Sequence, residues 1–231
     1  RAFLINKYRM NTLLQISIPA SEKTSNSISL LELTIKGGWV MIPIGILSVM
    51  AVYIIIERIL TLKKADKDPE RFIEKVKSLI YNGDISGAIN QCQQFDTPFS
   101  RMIEKGVTKI GTPLANIETS VENVGKMEIY KLEKNLNILA TISGAGPMLG
   151  FFGTVTGMVQ AFMAIAQESG AVSPKLLSSG MYEAMITTVG GLIVGIIAYI
   201  GYNYLVSRID KIVHQMEYST IEFLELLQQP K

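Results

Sequence analysis

The sequence holds one cysteine, one histidine and one tryptophan in 231 residues. A lone Cys92 excludes an internal disulfide, and Cys92 with His214 is too little for a Cys/His metal cluster. His214 stands in a charged C-terminal stretch and reads as a solvated surface side chain. The net charge of +2 gives no sign of a nucleic-acid partner. No nucleophile–base motif and no phosphate-binding loop is present, so the sequence offers no support for an enzyme. No metal site and no bound cofactor is expected.

Charge is missing from long stretches. Gly37–Ile56, Asn135–Gln167 and Ala184–Ser207 contain no Asp, Glu, Lys or Arg. The chain is 48% apolar and has a mean hydropathy of +0.29. About 20 apolar residues cross a hydrocarbon core. An all-α integral membrane protein with three transmembrane helices is therefore expected. Membrane lipid is then its first partner.

Basic residues set the orientation. Arg58, Lys63, Lys64 and Lys67 follow span one, Lys126, Lys131 and Lys134 precede span two, and Arg208 and Lys211 follow span three. The other side shows Lys36 and Lys175. The positive-inside rule puts the N-terminus outside and the C-terminus in the cytoplasm. The expected order is an extracytoplasmic segment (1–36), span one (37–61), a cytoplasmic helical domain (62–134), span two (135–167), span three (176–207) and a cytoplasmic C-terminal helix (208–231). Within the first segment, Ser29-Leu30-Leu31-Glu32 resembles a capping box.

Helix boundaries are well marked in 62–134. Asp68-Pro69-Glu70 opens a helix, and Asn82-Gly83-Asp84 ends it and caps the next, over about 85–94. Thr97-Pro98 starts another, over about 98–110, which Gly111-Thr112-Pro113 stops. From Leu114 no strong breaker stands before Gly144. One helix over about 114–166 would be roughly 80 Å long at 1.5 Å per residue. Only about 30 Å of it fits in the hydrocarbon. Its apolar seam of Ile117, Val121, Val124, Leu132, Leu136 and Leu139 continues outside the membrane, which implies packing against partner helices. Span three extends likewise through Ile209, Val213 and Met216.

Glu183 is the only formal charge between Lys175 and Arg208. A charged side chain at the centre of a membrane helix costs roughly 2.5–3.5 kcal/mol. Such an acid is protonated, paired or turned to water inside a bundle, so it marks an ion path, most simply for protons. Thr187 lies on its face at i+4 and Thr188 about 100° further round. Thr154 falls at a depth similar to that of Thr188 in an antiparallel hairpin. Glu183, Thr154, Thr187 and Thr188 are the candidate pathway residues. Small residues spaced for close helix contact are Gly146/Gly150 and Gly153/Gly157 in span two and Gly191/Gly195 in span three. Pro147 is expected to kink or loosen span two.

The stretch Gly146-Pro147-Met148-Leu149-Gly150-Phe151-Phe152-Gly153-Thr154-Val155-Thr156-Gly157-Met158 resembles a signature of the MotA/TolQ/ExbB proton-channel family. Gly180-Met181-Tyr182-Glu183-Ala184-Met185-Ile186-Thr187-Thr188-Val189-Gly190-Gly191-Leu192 resembles its second signature. The entry to span one, Gly37-Gly38-Trp39-Val40-Met41-Ile42-Pro43-Ile44, is similar to the ExbB branch. The resemblance implies a bacterial inner-membrane protein with its N-terminus in the periplasm. It implies a homopentamer around the helices of an ExbD-like single-span partner. That partner's aspartate would carry the translocated proton, with Thr154, Glu183 and Thr188 at pore-lining positions. The motor would energise a TonB-like protein for outer-membrane transport. A TolQ-like subunit has the same three-span plan and is the alternative within the family. A passive scaffold and a channel without a partner are the alternatives outside it.

Overall fold

The computed structural model describes residues 37–65, 69–167 and 174–228. All of them belong to one unit, Thr34–Lys231. The expected N-terminal segment and its capping box, the Asp68 cap and most of the link between spans two and three lie outside the described residues. Among those described, every regular element is helical: α1 (Met41–Ala65), α2 (Pro69–Tyr81), α3 (Ile85–Phe95), α4 (Pro98–Val107), α5 (Leu114–Leu132), α6 (Leu136–Gln167) and α7 (Pro174–Gln228).

Three helical tracts are long and apolar enough to cross a membrane: Met41–Ala65, Leu114–Gln167 and Leu177–Gln228. Large apolar side chains stay exposed along them, among them Val49, Tyr53, Met148, Phe151, Met185 and Ile200. In water such faces would be costly; in lipid, or against other helices, they are not. The chain is a membrane protein.

The seam between α6 and α7 is made of small residues. Gly146, Gly150, Gly153, Gly157 and Ala161 are buried on α6, three or four residues apart along one face. A Cβ on Gly146 would stand 2.9 Å from the Gly191 carbonyl oxygen, and one on Gly150 3.0 Å from that of Thr187. The two backbones are therefore in contact, antiparallel. Pro147 lies inside α6, which runs on past it. Its ring fills the space facing Gly195, where a Cβ would approach within 2.6 Å of the proline Cδ.

The expected single helix over about 114–166 is interrupted. α5 ends at Leu132, Asn135 takes the left-handed conformation (φ 67°), and α6 begins at Leu136. Asn is one of the few side chains that enters this region at modest cost, so it breaks a helix without Gly or Pro. The free carbonyl oxygens of Lys131 and Leu132 are met by the buried Arg58 guanidinium, at 3.0 and 3.5 Å. Arg58 also pairs with Glu57 at 2.5 Å.

The seam of α5 is covered by this chain's own helices. On the C-terminal part of α7, Ile209, Ile212, Met216, Ser219, Phe223 and Leu226 are buried at three- and four-residue steps. Phe223 packs where Gly106 of α4 lacks a side chain, beside Val121 of α5. Partner helices are not needed to bury it. Local signals set the short helices. The Asp84 side chain accepts from the Gly87 amide at 2.8 Å, and Thr97 and Ser100 form a reciprocal capping box. α4 ends at Val107, earlier than the expected 110, in turns closed by Lys109 and Ile110 amides. Phe72, Phe95 and Phe99 cluster with centroids 4.9–5.8 Å apart. Cys92 is free and buried.

Candidate functional site

Three hydroxyls converge on two backbone carbonyls at the α6/α7 seam. Thr154 donates to the Ala184 carbonyl at 3.1 Å, Thr187 to the same oxygen at 2.7 Å, and Thr188 to the Gly150 carbonyl at 3.1 Å. Thr154 and Thr188 are also in direct hydroxyl–hydroxyl contact. The close approach at Gly150 permits this, since it brings α7 hydroxyls to a carbonyl of α6. Antiparallel depth matching accounts for the Thr154–Thr188 pair.

The threonines are not equivalent. Thr187 is 1% exposed and sits inside the seam. A Cβ on Gly153 would stand 2.6 Å from the Thr187 Cβ. Thr154 and Thr188 are half-buried. Each hydroxyl has one proton to give, so one of the Thr154–Thr188 pair can donate to the other while its partner donates to a backbone carbonyl, and the remaining lone pairs can accept from water or another donor.

Glu183, half-buried, lies one turn before Thr187 on α7. It borders a crevice between the entry to α1 and the α6/α7 pair. Gly37, Trp39 and Val40 line the crevice on one side, and Thr156 and Gln160 on another. The structure thus places Glu183 beside the α1 entry, with Thr154 and Thr188 gathered at the seam. Thr187 borders both groups. Sequence reasoning did not single out Gly38 or Gln160 as neighbours of the acid. The paired Gly37-Gly38 before a membrane span was the available signal for the first.

The remaining glycines carry the packing that holds this site. Gly157 faces Ala184, with a Cβ position 3.0 Å from the alanine Cβ, and Gly191 faces Gly150. No group of three or more His, Cys, Asp or Glu able to hold a metal occurs among the described residues.

Comparison with known proteins places the chain in a family. Residues 94–218, more than half of the chain, match the model of the MotA/TolQ/ExbB proton channel family. A protein of Methanothermobacter thermautotrophicus described as an ExbB homolog is 29% identical over 191 residues, covering 82% of this chain and 67% of that one. The biopolymer transport protein ExbB of Aquifex aeolicus is 40% identical over 93 residues, 39% of this chain and 62% of that one. The Tol-Pal system protein TolQ of Haemophilus influenzae is 36% identical over 100 residues, 43% of each chain. The family match spans α4, α5, α6 and most of α7, including every threonine and glycine of the seam. The chain belongs to the MotA/TolQ/ExbB proton channel family.

Proposed function

We propose that this chain is the ring-forming subunit of an inner-membrane proton-driven motor of the ExbB type. In this reading five copies surround the single-span helices of an ExbD-like partner. Proton flow moves ring and partner against each other, and a TonB-like protein delivers the work to outer-membrane transporters. The N-terminus is periplasmic, and α2–α5 with the end of α7 are cytoplasmic. The asymmetry of lysines and arginines around the spans supports that orientation.

One observation carries the reading: a single carboxylate, Glu183, stands beside a three-hydroxyl cluster in two membrane spans, 135–167 and 176–207, that are otherwise uncharged. It is the only carboxyl within residues 135–167 and 176–207. The hydroxyls of Thr154 and Thr188 can hold water or a transferring proton between donors without bearing lasting charge. The partner's acid would be the main carrier, with Glu183 tuning the field around it.

The test is ferric-siderophore uptake in cells whose only copy carries Glu183→Gln, with subunit and partner levels measured. Gln keeps the size and hydrogen bonding but cannot ionise. Lost uptake at normal assembly is expected; normal uptake sinks the proton role of Glu183.

The TolQ relative supports a second reading, a subunit of an envelope-maintenance system. Detergent sensitivity of the same cells separates the two. The ExbB reading expects lost uptake with intact envelope resistance, and the TolQ reading expects the reverse.

A further inference from the structure

The acid of this site rests on a glycine from a different helix. Gly38 sits in the turn before α1 with φ +66°, and any Cβ placed there would overlap Oε1 of Glu183. The same Cβ would stand 3.2 Å from Cδ and 3.8 Å from Cγ of Glu183. The carboxylate therefore points Oε1 end-on at bare backbone.

The turn itself is anchored on both neighbouring helices. Trp39 meets Phe152 of α6 edge to face, with centroids 6.2 Å apart. Met41 packs over Gly190 of α7, 3.2 Å from the position of a Cβ there. A Cβ on Gly37 would come within 3.2 Å of Ile186 Cγ2. The Gly38 carbonyl accepts from the Met41 amide at 3.2 Å, and the Trp39 carbonyl from that of Ile42, also at 3.2 Å. The floor under Glu183 is thus tied to α6, to α7 and to the first turn of α1. It cannot withdraw from an added side chain without disturbing all three.

We propose that Gly38 is a positioning residue for Glu183: the side-chain-free turn at the entry to α1 seats the carboxylate beside Thr187 and sets where it meets its proton donors. This inference rests on the proton-coupled reading of Glu183. It gives α1 a part in the chemistry of the α6/α7 hairpin, which the hairpin motifs alone do not contain.

The inference separates two costs of Gly38→Ala. One is backbone strain at positive φ, which any β-carbon brings. The other is eviction of the carboxylate, which shortening the acid by one methylene relieves. Uptake is measured in cells whose only copy carries Gly38→Ala, Glu183→Asp, both, or Glu183→Gln, with subunit levels in membranes. Gly38→Ala is expected to lower uptake at least tenfold. The double variant is expected to return to at least half the rate of Glu183→Asp alone. If Gly38→Ala lowers the subunit level instead, the double variant must restore the level. Wild-type uptake by Gly38→Ala, or a double variant no better than Gly38→Ala, overturns the proposal.

A second measurement is independent of whether Glu183→Asp works. In membranes, dicyclohexylcarbodiimide labelling of Glu183, located by mass spectrometry, is expected to run at least threefold faster in Gly38→Ala than in the wild type. An unchanged rate means the carboxylate has not moved, and it overturns the proposal where Glu183→Asp is itself inactive. Wild-type uptake by Glu183→Gln, in contrast, removes the proton-coupled reading itself.

Discussion

Arg58 of α1 donates a hydrogen bond to the carbonyl oxygen of Lys131, 3.0 Å away, where α5 stops. The side chain is 4% exposed. It joins the first membrane helix to the break that separates α5 from α6. Asn135 reaches back toward the same place, with Nδ2 at 3.5 Å from Oε2 of Glu57. The break is therefore built into the packing of α1 as well as into the conformation of Asn135.

Arg58→Ala removes the donors to Lys131 and Leu132 and leaves their carbonyl oxygens in a buried joint. An unsatisfied buried polar group costs roughly 1–3 kcal/mol. We expect a lower thermal unfolding midpoint for the purified protein in detergent, with Arg58→Lys between the two. Lysine keeps the charge but has no planar fork to span two acceptors. An unchanged midpoint in Arg58→Ala would show that the break stands without α1.

The parts of this fold that were legible in the sequence are those decided within a few residues. Asp84 and Thr97 cap helices because their own side chains reach the next turn. The glycines of the hairpin stand out by spacing, and antiparallel counting pairs Thr154 with Thr188. Asn135 was not legible as a breaker, because Asn is tolerated inside helices and the Arg58 guanidinium that meets the freed carbonyls lies more than 70 residues earlier in the chain. The cover of the α5 seam was also hidden. Whether Phe223 of α7 or a second chain lies against Val121 depends on contacts far apart in sequence. Gly38 escaped for the same reason: its role is defined by Glu183, on a helix near the other end of the chain.

The α6/α7 seam makes a prediction about two glycines of α6, Gly150 inside the seam and Gly144 outside it. Gly150→Ala places a Cβ 3.0 Å from the Thr187 carbonyl oxygen and 3.1 Å from Thr188 Cα, both backbone atoms that cannot swing away. Gly144→Ala meets nothing within 4 Å. Overpacking of this kind costs about 1–3 kcal/mol. Gly150→Ala is expected to lower the unfolding midpoint and, by parting the helices, to weaken the Thr154–Thr188 contact. Gly144→Ala is expected to stay at or slightly above the wild type, since Ala favours helix over Gly. Equal midpoints for the two variants would mean that the backbones are not in contact.

Glu128 connects α5 to α4 through Arg101 Nη2 at 2.8 Å and accepts from Lys131 at 2.7 Å, with its side chain only 4% exposed. Burial pushes its carboxyl up, but the hydrogen bonds from Arg101 and Lys131 outweigh burial and hold it below the ordinary range. A carboxyl with a lowered folded pKa stabilises the fold above its unfolded value, near 4.3. That contribution is lost as pH falls through the lowered folded value. Glu128→Gln is therefore expected to be less stable than the wild type at pH 7, by about 1–3 kcal/mol. The gap should narrow as pH falls below about 4. Denaturation midpoints across that range check this, and a gap that does not change with pH would assign the loss to packing alone.

The hydroxyl cluster separates a structural role from a conducting one. Thr187 is enclosed in the seam, while Thr154 and Thr188 are half-buried and touch each other. Valine matches threonine in shape but cannot donate to the Ala184 or Gly150 carbonyl. Thr187→Val leaves a deeply buried acceptor short of one donor and is expected to act on stability, by roughly 1 kcal/mol, with uptake per assembled complex preserved. Thr154→Val and Thr188→Val are expected to lower uptake per assembled complex at nearly unchanged stability. Because the two hydroxyls work as a pair, the double variant should be little worse than either single one. Additive losses in a double-mutant cycle would show instead that each threonine acts through its own carbonyl, and that their contact has no part in coupling.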